Sequence, residues 1–172
     1  MTALGSIRCL FAIAGVLAGA ALLAPGASYA QDADPVAGAT VWKTVANCRE
    51  CHGWAANGQQ ELPQQPQGAN LRETTLDKDA MAEIIRCGKP ASEMPYFGGN
   101  STWTATGKCF GMTRAEVGAM MPIKADTTLS DRQVVNVVAY IFANLAGKGP
   151  VTAAECDAFF GAGNPKCAGY AK

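Results

Sequence analysis

Cys48-Arg49-Glu50-Cys51-His52 puts two thiols three residues apart and ends on the only histidine in the chain. This is the spacing at which a c-type haem is attached. Two thiols that add across two vinyl groups on one side of a porphyrin have to be near neighbours. The residue after them then lies under the iron and offers an imidazole nitrogen as proximal ligand. The motif predicts Cys48 and Cys51 as thioether attachment points and His52 as an iron ligand of one covalent haem c. It also demands a fold that can wrap a flat apolar ring. Two other chemistries use Cys-x-x-Cys. A thioredoxin-like dithiol belongs with a βαβ pattern, which this chain lacks. A structural zinc needs four ligands, and without a second histidine the rest would have to be distant cysteines.

The 172 residues read as a leader followed by one domain. Arg8, an uncharged apolar run of 15 residues from Leu10 to Ala24, Pro25-Gly26 and then Ser28-Tyr29-Ala30 predict a secretory signal peptide over residues 1–30. The run is short for a membrane span, and no later stretch is apolar enough, so residues 31–172 are expected to carry no span. That part keeps all 14 acidic residues and 13 of the 14 Lys and Arg, for a net charge near −1. A nucleic-acid binder needs a basic surplus, so nucleic acid is not an expected partner. Export implies an oxidising compartment, in which thiols pair. With Cys48 and Cys51 assigned to haem, Cys87, Cys109, Cys156 and Cys167 are left for two disulfides. Three pairings are open. The local one, Cys87–Cys109 with Cys156–Cys167, is expected.

Local patterns predict helices and no strands. Asp34-Pro35 is an N-cap with proline at the first helical position, opening a helix that ends near Asn47. Residues 57–70 carry Gly58, Pro63, Pro66 and Gly68 among many glutamines, which is loop. A second helix runs from about Asp77 to Cys87, with Met81, Ile84 and Ile85 on one face and Gly88 as its stop. Residues 88–111 form a long loop of the kind that is functional or tied down. Thr113–Glu116, Ser130–Gln133 and Thr152–Glu155 each have the spacing of a capping box. The second opens the clearest helix, with Val134, Val137, Val138, Ile141 and Leu145 as its apolar stripe and Gly147 at its end.

A lone histidine means that the iron's other face cannot take a second one, and methionine is the usual partner. Met81 lies on an apolar helix face and reads as core. Met94-Pro95 and Met121-Pro122 both deliver a thioether from a proline-held loop, and the residues alone leave the two open. At this point the chain resembles the class I monohaem c-type cytochromes. The resemblance rests on Asp34-Pro35-x-x-Gly38-x-x-x-Trp42, the Cys48–His52 motif, a Met-Pro loop, and Leu129-Ser130-Asp131 leading to Val138-Ala139-Tyr140-Ile141. It narrows to a bacterial subgroup through Cys87-Gly88-Lys89-Pro90, Met94-Pro95-Tyr96-Phe97, Cys109-Phe110-Gly111 and Thr152-x-x-Glu155-Cys156. The resemblance implies an all-α class I cytochrome c fold, with short helices around one haem and long connecting loops. It implies that the first and last helices cross, with Gly38 allowing the approach and Tyr140 at the contact, and it implies Met94 as distal iron ligand. The chain departs from many class I members in having Gly68-Ala69-Asn70-Leu71 where they have Gly-Pro-x-Leu. The carbonyl that would accept the histidine Nδ1 proton is then that of Ala69, without a proline ring to stiffen it.

Arg72, just beyond, could face a haem propionate or lie solvated in its loop. Trp42, Trp54, Tyr96, Phe97 and Trp103 are expected to pack the porphyrin. Together these readings point to a non-enzymatic electron carrier. Its partners would be redox proteins, for example a periplasmic dehydrogenase or cytochrome as donor and an oxidase or cytochrome as acceptor. The alternatives are a haem subunit of a larger redox enzyme or a gas-binding or peroxidase-like protein. The absence of a second histidine as distal acid–base group weighs against the last.

Overall fold

The computed structural model describes residues 33–104 and 106–170. The expected signal peptide, residues 1–30, lies outside them. The described residues form an all-α fold, with only two isolated β-bridges, Tyr96 with Lys124 and Cys109 with Met112. No helix among them is long and apolar enough to cross a membrane.

Helix α1 spans Pro35–Thr40. The Asp34 carboxylate accepts from the amides of Val36 and Ala37, and Pro35 takes the first helical position, where no amide is needed. A π-helical stretch, Val41–Val45, extends it, with the Ala46 amide donating to the Val41 carbonyl at 3.0 Å. Helix α2, Arg49–His52, is the Cys-x-x-Cys-His motif itself wound into one turn. Helix α3, Lys78–Cys87, is capped by Asp77 and stopped by Gly88 at φ 68°. It buries Met81, Ala82 and Ile85, and Ile84 is only half-buried. Helices α4 (Arg114–Val117), α5 (Asp131–Asn144) and α6 (Ala153–Phe160) each open on the expected reciprocal capping box, from Thr113, Ser130 and Thr152. Helix α5 stops at Asn144, before the expected Gly147, and Leu145 caps it.

The organising contact is the crossing of α1 on α5. A Cβ placed on Gly38 would lie 2.0 Å from the Asn136 carbonyl oxygen and 2.8 Å from the Tyr140 Cβ. Only a glycine lets the two backbones come this close. Next to it the Asp34 amide donates to Asn136 Oδ1 at 2.9 Å, which satisfies a buried polar side chain. The main core forms beneath the crossing, from Val41, Trp42, Met81, Ile85, Phe97 and the α5 stripe. A second, smaller core holds Cys87, Trp103, Cys109 and Val117. It encloses the Cys87–Cys109 disulfide, whose Cα atoms are 5.8 Å apart, and Cys156–Cys167, at 5.5 Å, ties α6 to the chain end. The local pairing is the one that forms.

Replacing Gly38 by alanine forces atoms into backbone that cannot move aside as a side chain would. We expect Gly38→Ala to lower unfolding free energy by about 3 kcal/mol or more, read as a shift of the urea midpoint at unchanged slope. A loss within experimental error would mean that the helices cross farther apart.

Candidate functional site

The α2 turn brings Cys48, Cys51 and His52 together. The His52 amide donates to the Cys48 carbonyl at 3.0 Å, and Gly53, at φ 81°, ends the turn. The loop that follows folds back over the motif. The Glu61 amide donates to the Glu50 carbonyl at 2.9 Å, and the Gly68 amide to the Cys51 carbonyl at 2.8 Å. Side chains add to this: Gln65 Nε2 donates to Glu50 Oε2 at 3.3 Å, and Arg49 pairs with Glu61.

His52 is buried, 8% exposed, and its Nδ1 lies 2.9 Å from the Ala69 carbonyl oxygen. A carbonyl only accepts, so Nδ1 carries the proton and Nε2 keeps its lone pair for a metal. Gly68 backs the ring, since a Cβ there would sit 2.7 Å from Nδ1. The Trp42 ring packs on His52 at a centroid distance of 6.1 Å and on Tyr140 at 6.2 Å. Burial lowers the imidazole pKa, against the raising effect of the Ala69 bond, so the ring is neutral near pH 7 as a metal ligand must be.

Cys48 and Cys51 are the free cysteines among the described residues. Burial, together with the nearby Cys51, pushes the Cys48 thiol up to about 12, despite a lowering backbone hydrogen bond. Burial and the charges of Glu50 and Glu93 also push Cys51 up. A dithiol used for exchange needs a depressed thiol pKa, so the environment speaks against redox use of the pair. Nor do the donors suit zinc. Cys87, Cys109, Cys156 and Cys167 are in disulfides, and no group of three or more His, Cys, Asp or Glu among the described residues could hold an ion. The set fits haem: two free thiols on one turn, with a buried, oriented imidazole beside them.

The two candidate thioethers are placed differently. Met94 packs against the main core, as Cys48 does. Its neighbour Glu93 is close enough for its charge to act on Cys51. The loop is held by Tyr96, whose amide donates to the Ile123 carbonyl at 3.0 Å, and by Phe97, whose amide donates to the Ile85 carbonyl at 3.1 Å. Met121 packs against the second core, around the disulfide.

Three expectations need correction. Arg72 is neither solvated nor free to face a propionate. It is 3% exposed and turned toward the turn after α5. Its guanidinium donates to the carbonyls of Ala55, Lys148, Gly149 and Pro150 and forms an ion pair with Glu155 at 3.0 Å. Trp103 lies in the second core, its Nε1 donating to the Cys87 carbonyl at 2.8 Å. Trp54 packs on Phe159, Phe160 and Tyr170 of the C-terminal segment. These two tryptophans secure loops, while Trp42 and Phe97 belong to the main core. Sequence reasoning missed Glu155 as Arg72's partner. Its only local signal, the capping box, already accounted for the carboxylate.

Residues 33–108 match the family model described as cytochrome C oxidase, cbb3-type, subunit III. The match takes in α1, the motif and the Met94 loop, and it supports a c-type cytochrome with a haem electron-transfer role. No curated protein and no solved structure matches the chain.

Partial burial raises the Glu155 carboxyl, but the bonds from the Thr152 backbone and from Arg72 outweigh it and hold the group below the usual carboxylate range. A depressed folded-state pKa gives stability that is present above the unfolded value and lost as pH falls through the folded one. We therefore expect Glu155→Gln to be less stable than wild type at neutral pH. The gap, followed by urea unfolding, should narrow as the pH is lowered from about 5. A gap independent of pH would show that the charge of Glu155 contributes nothing.

Proposed function

We propose that residues 31–172, exported behind the signal peptide 1–30, form a periplasmic monohaem c-type cytochrome that passes single electrons between redox proteins. One observation carries the reading. The fold pairs every other cysteine outside the leader and leaves Cys48 and Cys51 free beside a buried histidine whose Nδ1 is already engaged. The haem, when bound, supplies a centre that gains and loses one electron.

The chain's own residues do the rest. Cys48 and Cys51 would hold the porphyrin covalently, and His52 would present Nε2 from a ring fixed by Trp42, Gly68 and Ala69. Met94 is the proposed distal ligand, supported by its packing on the core that also carries Cys48. A thioether opposite imidazole favours the reduced state and leaves no open position for substrate, which suits a carrier rather than an enzyme. Partners of the class proposed are a dehydrogenase or cytochrome as donor and an oxidase or cytochrome as acceptor. Met120 and Ile123 are 51% and 67% exposed beside the Met94 loop. That apolar edge suits contact with such a partner, whether transient or as a fixed subunit of a larger redox enzyme.

In protein matured with a haem-attachment system, the intact mass should exceed that of the polypeptide by one haem that acidified acetone does not extract. Polypeptide carrying zinc and no haem would sink the reading. The ligand is tested by Met94→Ala and Met121→Ala. Met94→Ala should abolish the weak long-wavelength band of sulfur-bound ferric haem, lower the reduction potential and admit carbon monoxide. Met121→Ala should keep the band, and the reverse pattern would transfer the role to Met121.

A further inference from the structure

We propose that Arg72, with Glu155, is a positioning residue for the His52 imidazole, holding the returning chain so that the Ala69 carbonyl stays on Nδ1. This rests on the reading of His52 as iron ligand. The bond in question joins residues 17 apart across a glutamine-rich loop. Alanine at position 69 leaves φ free to turn, where a proline would fix it, so the carbonyl's direction has to be set by what holds its neighbours. Before it, the Gly68 amide is anchored on Cys51. After it, the Leu71 amide donates to the Ala56 carbonyl at 2.8 Å, and the Arg72 carbonyl accepts from the Gly147 amide at 2.9 Å.

The Arg72 side chain then ties three pieces together. Nη1 donates to the carbonyl of Ala55, on the stretch leaving His52. Nε donates to Gly149, and Nη2 to Pro150 at 3.2 Å, on the turn after α5. Nη2 also donates to both carboxylate oxygens of Glu155, at 3.0 and 3.1 Å. The outgoing and returning limbs of the His52 loop are thus fastened to one rigid point, three residues from Ala69 in one direction and three from His52 in the other. A planar, five-donor fork can do this, and an ammonium cannot. Glu155 orients the fork and balances a charge that would otherwise be buried alone.

The test uses the holoprotein and the variants Arg72→Lys and Glu155→Gln, both of which keep a polar group of similar reach. Two readouts report the His52 bond itself: exchange of the Nδ1 proton with solvent, followed by NMR in the reduced state, and the reduction potential. Loss of one such bond should speed exchange by about tenfold. It should also raise the potential, because an imidazole that donates less strongly is a less basic ligand. Adding Ala69→Pro to Glu155→Gln should return both toward wild type. If either single variant melts at lower temperature with exchange and potential unchanged, the clamp only stabilises the fold and the proposal is overturned. It is equally overturned if proline restores melting but not exchange. Wild-type protein that carries no covalent haem would fail the underlying reading instead, before either variant is made.

Discussion

Where Gly38 meets the Asn136 backbone, two helices approach as closely as polypeptide allows, and much of the molecule takes its place from that contact. The missing side chain brings Trp42, one turn along, into the core, where its ring touches both Tyr140 and His52. Burying a side chain of this size gives roughly 3 kcal/mol or more of apolar stabilisation, so the crossing is both the tightest and one of the better-rewarded contacts. The motif turn begins a few residues beyond the end of the π-helical stretch. Its histidine is therefore set against the core by the crossing, and the returning loop needs only to supply the carbonyl.

The parts of the structure that are legible in the sequence are those fixed over a few residues. Three capping boxes, the Asp34-Pro35 start and the Gly88 stop are local chemistry, and each is where the pattern places it. The local disulfides were legible for the same reason, since short separations are written along the chain. What could not be read is contact across long separations. Arg72 meets the carbonyls of Lys148, Gly149 and Pro150 and the Glu155 carboxylate only because α5 carries the chain back to it, 76 to 83 residues later. Trp54 and Trp103 look alike as aromatics near the motif or the Met94 loop, yet one is claimed by the C-terminal segment and the other by a disulfide. The winding of the motif into a helical turn was also unread, because its cysteines and histidine carry a strong chemical signal and a weak conformational one.

The fold keeps two apolar cores apart, and this separation bears on its chemistry. The larger core touches the motif and Met94, whereas the smaller one is built around a covalent crosslink and takes Met121, Met112 and Phe110 as its partly buried rim. Segment 94–98 joins them. Its backbone bonds to Ile85 and Arg86 on one side and to Ile123, Ala125 and Leu129 on the other, so that it behaves as a strut rather than as a free loop. A charge change near the first core would then be met by a wall that is braced from behind, which is the arrangement that keeps reorganisation small.

The division of the cysteines has a consequence for how such a molecule is made. The six cysteines of the described residues could pair in 15 ways, and the fold joins four of them and leaves two free. The partners it joins are 22 and 11 residues apart, short loops that close with little loss of chain entropy. The reserved pair is closer still, with only Arg49 and Glu50 between the two sulfurs, so nothing in the chain's own polymer physics protects it from closing on itself. Under the proposed haem attachment, biogenesis would have to order its steps: delivery of the tetrapyrrole has to find Cys48 and Cys51 as thiols while the other four are disulfides. Yield from a foreign host would then depend on the timing of oxidation against delivery, in addition to the stability of the folded product.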